Sequence, residues 1–212
     1  MGETLVDETR AWGEWADWLG VPRLTFFAAL GSAVERGLPR RSVFAELRPG
    51  FDFAREQARR LRAGPAPGRI GRADLYPDAR PCLEALHARG LWLALAANQP
   101  ASADADLRAL DLPVAAVLVS ARIGVEKPSP EFFARVVAAA PCPAAEIAYV
   151  GDRLDNDVLP ARAAGMRAIF LRRGPWAVVH ARSADAAHAD ARIDSLAELP
   201  ALIERLGAGA GA

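Results

Sequence analysis

The chain has 212 residues, 52% of them apolar, and its 26 basic and 26 acidic residues cancel. That length and composition suit a globular α/β protein, as one domain or one domain with an inserted module, and exclude general disorder. The neutral balance argues against nucleic-acid or membrane-surface partners, and no apolar run approaches the roughly 20 residues of a membrane span.

The amino end, "MGETLVDETR", is acidic and lacks the apolar stretch of a signal peptide, which predicts a cytoplasmic protein. Residues 10–75 carry no convincing strand pattern. Trp12, Trp15 and Leu19 share one predicted helix face, and Leu24, Phe27, Gly31 and Val34 share another. The aromatic residues read as the core of a small helical module. "GPAPGRIG" (64–71) is a loop by composition. The module holds twelve arginines against seven acidic residues, a surplus of five. Arg55, Arg59 and Arg62 fall on one helix face, either as an ordinary solvated surface or as a lid that attracts an anionic substrate.

From residue 76 onward, short apolar runs alternate with helical patterns. The runs are "LWLALA" (91–96), "AAVLVS" (115–120), "EIAYVG" (146–151) and "MRAIFL" (166–171). None alternates apolar with polar, so each predicts a strand buried on both faces. The intervening segments have helical spacing, and the alternation predicts a parallel sheet with helices on both sides. Ligands of such sheets bind beyond the carboxyl ends of the strands. "ARID" (191–194) is short and suits a sheet edge, and the terminal "GAGAGA" (207–212) is low-complexity and predicted to be disordered. Cys82 and Cys142 have no CxxC spacing and no nearby His cluster, and read as reduced, buried thiols.

Acidic residues mark one of those strand ends. Asp152 follows the run "EIAYVG", and Asp157 lies five residues on. Magnesium takes oxygen ligands, few carboxylates and several waters, and such a pair could hold it. Asp157 could equally serve the positive end of the next helix, with Asn156 as its cap. In "GVEKPSPEFF" (124–133), Ser129 and Pro130 predict a helix start, and two prolines stiffen the backbone after Lys127. A lysine so held beside aspartates offers a fixed positive charge to phosphate oxygens or to a carboxylate nucleophile.

"GVEKPSPEFF" together with "YVGDRLDNDVLPARAAGM" resembles the third and fourth motifs of the haloacid dehalogenase-like hydrolases. "GLWLALAANQ" is similar to the second motif, and "GETLVDETRAW" to the segment after the first. The resemblance implies a Rossmann-like α/β core from residues 1–9 and 76–206, with residues 10–75 as an inserted all-helical cap. It implies a magnesium-dependent phosphatase acting through an aspartyl-phosphate. Lys127 would stabilise nucleophile and substrate charge, Asp152 and Asp157 would serve the metal, and Thr4 matches the first motif's threonine. The Gly2 carbonyl matches a further metal ligand. Arg36, Arg40, Arg41 and Arg48 of the cap are expected near the cleft, where they would meet a small anionic, phosphorylated substrate, in a monomer or homodimer.

Three departures accompany the resemblance. Gly2 stands where the family has its general acid/base, and Ala97 where it has a phosphate-binding Ser or Thr. Asn98 could donate in place of that hydroxyl, or could be a structural strand-end amide. The position of the nucleophilic aspartate falls one residue before Met1. The missing acid at Gly2 suits a substrate with a good leaving group, such as an acyl phosphate, or weak activity, and the three departures together suit a non-catalytic relative that binds a ligand or partner. They also raise the expectation of a natural start about ten residues upstream, with one more strand, and of a gap between the strands at 91–96 and 146–151.

Overall fold

The computed structural model describes residues 1–64 and 69–208. Most of the "GPAPGRIG" loop and the last four residues of the terminal tail lie outside the described residues. The chain forms two compact units, Glu8–Arg69 and Met1–Asp7 with Ile70–Ala212. The boundary falls before residue 75 because Leu75 bridges to Val6 and the Tyr76 amide donates to the Leu5 carbonyl, tying 70–76 to the larger unit.

The described part of the smaller unit is helical: α1 (Thr9–Leu19), α2 (Arg23–Glu35), α3 (Ser42–Leu47) and α4 (Phe53–Ala63). Its core is built round the fully buried Phe44, which stacks on Phe51 at 4.8 Å and packs against Trp12, Trp15, Phe26 and Phe53. The buried stripe of α2 is Phe26, Leu30, Ala33 and Val34. The face expected through Leu24, Phe27, Gly31 and Val34 is therefore rotated, and Leu24 is 83% exposed. Both stripes have helical spacing, and contact with Phe44 decides between them. Asp52 caps α4 by accepting from the Arg55 amide at 3.0 Å. On α4, Arg55, Arg59 and Arg62 are exposed, whereas Arg60 is buried 4.0 Å from the centre of the Trp15 ring.

The larger unit runs α5 (Ala79–Ala88), β1 (Ala94–Ala97), α6 (Ala103–Ala109), β2 (Ala116–Val119), α7 (Ser120–Ile123), α8 (Pro130–Ala139), β3 (Ala148–Gly151), α9 (Leu159–Ala163), β4 (Arg167–Leu171), α10 (Gly174–His180), β5 (Ala191–Ile193) and α11 (Leu199–Ala208). Gly207 and Ala208 thus close α11 rather than opening a disordered tail. Strand β1 starts later than "LWLALA" suggests because α5 ends in a wrap: Gly90, at φ 77°, and Leu91 donate back to the carbonyls of His87 and Leu86.

All pairings between the five strands are parallel. In β4, Ile169 and Leu171 pack on one side with Leu86, Ile193 and Leu202, while Ala168 and Phe170 pack on the other with Phe132, Phe133 and Met166. Both faces are buried, which is why the strand sequences show no polar alternation. Cys82 is buried in the first cluster and Cys142 is only half-buried, both as free thiols. No helix among the described residues is long and apolar enough to cross a membrane.

The sheet is split. Strands β1 and β2 form one ladder and β3, β4 and β5 another, with no pairing between β1 and β3. A cavity of about 470 Å³ lies between those two edges. Each buried backbone group left without a partner costs about 1–3 kcal/mol.

Candidate active site at the strand ends

The carboxyl ends of β1 and β3 carry a buried polar cluster. Asp152 follows β3 directly and is 5% exposed. Burial first, and the negative charge of Asp157 second, push its carboxyl up to about 7. The Thr4 hydroxyl donates to Asp152 Oδ1 at 3.4 Å.

Asp157 is brought back toward Asp152 by a π-helical turn over Leu154–Val158, in which the Val158 amide reaches the Arg153 carbonyl. Such turns redirect a side chain without ending the helix that follows. His180 holds the turn from outside, its Nδ1 accepting from the Leu154 amide at 2.9 Å. Asp157 Oδ1 accepts from Lys127 Nζ at 2.5 Å, and Oδ2 accepts from the Arg153 amide at 3.3 Å. Gly151 makes this approach possible: a Cβ there would sit 2.4 Å from the Cβ of Asp157.

Lys127 is delivered by the loop before α8, whose first turn is capped by Ser129 and started by Pro130. The Lys127–Pro128 peptide is cis. Burial alone would lower the lysine's pKa, but the charge of Asp157 and the neighbouring Tyr149 and Asp152 outweigh it, and the net shift is upward. Lys127 is therefore a permanent cation at neutral pH. Asn98, just beyond β1, clamps its backbone: Nδ2 donates to the Lys127 carbonyl at 2.9 Å and Oδ1 accepts from the Lys127 amide at 2.8 Å. Both polar atoms of the Asn98 side chain are thus engaged with the lysine's own main chain.

A second group of residues, which the sequence reading did not single out, fixes the segment around Thr4. Arg173 donates to the Thr4 carbonyl at 3.0 Å, pairs with Asp78 and stacks 4.1 Å from the centre of the Tyr76 ring. Asp78 also accepts from Ser195 Oγ at 2.6 Å and the Leu196 amide at 2.9 Å. Burial would raise the Asp78 carboxyl, but Arg173 and Ser195 hold it below its usual range. The Tyr76 hydroxyl donates to Glu3 at 2.7 Å, turning that side chain away from the cluster, and the Gly2 backbone bridges to Val6. The one sequence signal for this network is the position of Arg173 just past the end of β4.

The four arginines expected near the cleft belong to the smaller unit. Arg36 pairs with Glu46, Arg40 pairs with Glu8 and stacks over Trp12, Arg41 lies 4.2 Å from the centre of the Phe53 ring, and Arg48 is exposed.

Among the described residues no cluster of three His, Cys, Asp or Glu side chains is poised to hold a metal. The donor set at the strand ends is instead two buried carboxylates, Asp152 and Asp157. Hard oxygens in small number fit magnesium, which retains several waters, and do not fit zinc.

The haloacid dehalogenase-like hydrolase family model matches residues 5–165. The phosphoserine phosphatase of Thermus thermophilus is 36% identical over 106 residues, 49% of this chain and 43% of that one. The ribulose-1,5-bisphosphate 5-phosphatase of Halopiger xanaduensis is 33% identical over 135 residues, 61% of this chain and 56% of that one. The chain spans less than half the length of the first curated relatives it matches. Among solved structures, the HAD-hydrolase YfnB of Bacillus subtilis, bound to magnesium, superposes with a TM-score of 0.68 at 20% identity, covering 96% of each chain. With its parallel α/β core and a family match over most of its length, the chain belongs to the haloacid dehalogenase-like hydrolases.

Proposed function

We propose that the strand-end cluster is the phosphoryl-transfer site of a magnesium-dependent phosphatase acting on a small, phosphorylated metabolite. The observation that carries this reading is the buried triad of Lys127, Asp157 and Asp152 at the carboxyl ends of parallel strands. Asp152, with Asp157 and the Gly2 carbonyl, would hold the metal. Charge neutralisation at the phosphoryl oxygens is the chemistry a bound magnesium supplies. Lys127, fixed in its ammonium form, adds a positive charge that needs no reorganisation as negative charge develops on the transferring group. Asn98 acts as a positioning residue for that lysine, and Thr4 orients Asp152.

Gly2 supplies no general acid at the position where the resemblance places one, which favours a substrate whose leaving group departs without protonation, such as an acyl phosphate. The relatives named as phosphatases of phosphoserine, glyceraldehyde 3-phosphate and ribulose-1,5-bisphosphate support the substrate class at the level of small phosphorylated metabolites. Arg48 and its neighbours on the smaller unit are proposed to draw such anions. Arg48→Glu should then raise KM more than it changes kcat, with the difference shrinking at high salt.

A second reading, a non-catalytic phosphate-binding protein, is favoured by one observation: the Asn98 amide is taken up by Lys127, and Ala97 offers no hydroxyl. Release of inorganic phosphate from a panel of acyl and ester phosphates separates the two. Magnesium-dependent release that disappears in Asp152→Asn and Lys127→Ala supports the phosphatase. Magnesium-dependent binding of inorganic phosphate with no turnover on any member of the panel supports the second reading and removes the first.

A further inference from the structure

Leu154 opens the turn that carries Asp157 and is buried in the apolar cluster of Phe132, Val158 and Ala168. Its amide needs an acceptor, because an N–H unpaired in such surroundings keeps the full cost of its lost water. The residue just before a helical turn is the usual source of that acceptor. Here it is Arg153, whose guanidinium can only donate, and its side chain makes no cap. The acceptor comes instead from His180, 26 residues further on, through Nδ1 at 2.9 Å.

Helix α10 grips the start of this turn at two points. Trp176 and His180 lie one helical turn apart and share a face, with their ring centres 5.3 Å apart. The Arg153 guanidinium carbon lies 3.9 Å from the centre of the Trp176 ring. Arg153 also donates to Asp155 at 3.0 and 2.6 Å, and Asp155 Oδ1 lies 4.0 Å from His180 Nε2. Successive amides are thereby committed in opposite directions, Arg153 to Asp157 Oδ2 and Leu154 to His180. An accepting Nδ1 puts the proton of the neutral ring on Nε2, on the side of Asp155. Burial holds the imidazole below its ordinary pKa, against the pull of the Asp155 charge, so the ring is neutral at neutral pH.

We propose that His180 is the positioning residue of the second metal carboxylate: its Nδ1 lone pair holds the π-helical turn in the one arrangement that sets Asp157 against Lys127 and toward Asp152. The inference rests on the reading of Asp152 and Asp157 as the magnesium pair. Without the acceptor, the Leu154 amide has to turn toward water, and Asp157, three residues along the same turn, swings with it. His180 itself touches neither carboxylate of the pair. Its effect therefore reaches the metal only through the backbone, as partners that orient a ligand from outside do, typically at about 10–100-fold in affinity.

The test compares the full chain with His180→Phe, which keeps a ring beside Trp176 but offers no acceptor, and with His180→Asn, whose amide oxygen takes the place of Nδ1. In EDTA, hydrogen exchange in His180→Phe should quicken about fivefold at the Leu154 amide, the loss of one capping contact, and comparably at the Arg153 amide, whose partner is Asp157. In calorimetric titration His180→Phe should bind magnesium about tenfold more weakly. His180→Asn should bring both readouts back near wild type. Faster exchange at Leu154 alone, with Arg153 protection and magnesium affinity unchanged, would reduce His180 to a local cap and overturn the proposal. So would a His180→Asn variant as impaired as His180→Phe, since the ring would then act by its bulk. Nitrogen NMR of the wild-type imidazole needs no variant, and a proton on Nδ1 at neutral pH would also overturn it. If the wild type binds no magnesium, the metal reading fails by itself, and exchange at Arg153 still decides whether His180 positions Asp157.

Discussion

Lys127 Nζ lies 2.5 Å from Asp157 Oδ1, with both side chains almost fully buried. In a buried pair the mutual attraction opposes a large desolvation penalty, so the pair as a whole contributes little net stability. Removing one partner is different, because the other is left buried and uncompensated. Lys127→Ala should destabilise the larger unit by about 3–5 kcal/mol. The apolar double variant Lys127→Met/Asp157→Leu should recover much of that loss. Urea denaturation of the two single variants and the double variant gives the coupling. Additive losses would mean that the two side chains do not interact in solution.

The Asp152 carboxyl predicts an unusual pH dependence in the absence of metal. Its folded pKa, about 7, lies above the unfolded value near 3.8. The folded state therefore holds a proton that the unfolded state has lost between those values, so stability falls as pH rises from about 4 to about 7. Carboxylates held down by arginines, such as Asp78, act in the opposite sense and at lower pH. Thermal melts of wild type and Asp152→Asn, both in EDTA, should differ most near neutral pH, with the variant the more stable. Parallel melting curves across that window would show that Asp152 ionises normally.

Much of this site was legible in the sequence. Apolar runs ending at Gly151 and Ala96 place acids and amides at strand ends whatever the details of packing, and the Ser129–Pro130 start of α8 is a local signal. The pairing of Arg173 with Asp78 was not legible, because 95 residues separate the partners and neither carries a local motif. The register of α2 was missed for a similar reason: two adjacent stripes are equally helical, and only the tertiary contact with Phe44 makes Leu30 the inward residue and Leu24 the outward one. The shape of the Asp157 approach was also hidden, since five residues could form an α-turn or a π-turn with the same composition.

Asp78 predicts a purely positional effect. It joins Arg173 to Ser195 and the Leu196 amide, and through Arg173 reaches the Thr4 carbonyl. Asp78→Ala leaves a half-buried guanidinium without its main partner and should lower stability by roughly 2–4 kcal/mol, within the range for broken buried networks. Asp78→Asn keeps the acceptor and should lose less. If Thr4 positions Asp152, both variants weaken magnesium binding in proportion to their loss of stability, as calorimetric titration would read. An unchanged magnesium affinity in Asp78→Ala would uncouple this network from the site.

Two glycines give opposed predictions from the same substitution. Gly151 ends β3, and a methyl group there would meet the Cβ of Asp157 at 2.4 Å and its Cγ at 2.7 Å. Neither atom is the free end of a flexible side chain, since Asp157 is held by Lys127 and by the Arg153 amide. Gly151→Ala must therefore push the π-helical turn away from β3, at about 1–3 kcal/mol by the scale of overpacked cores. It should also separate Asp157 from Lys127 and weaken magnesium binding. Gly31 lies inside α2, and a methyl group added there would meet nothing within 4 Å. Gly31→Ala should stabilise the smaller unit by roughly 0.5–1 kcal/mol through helix propensity alone, and should leave magnesium binding untouched. The two variants, measured by chemical denaturation and metal titration side by side, separate a glycine required by close approach from one that is merely tolerated. If Gly151→Ala proved as harmless as Gly31→Ala, the tight packing of Asp157 against the end of β3 would be wrong, and with it the account of how the π-helical turn brings the second carboxylate to Asp152.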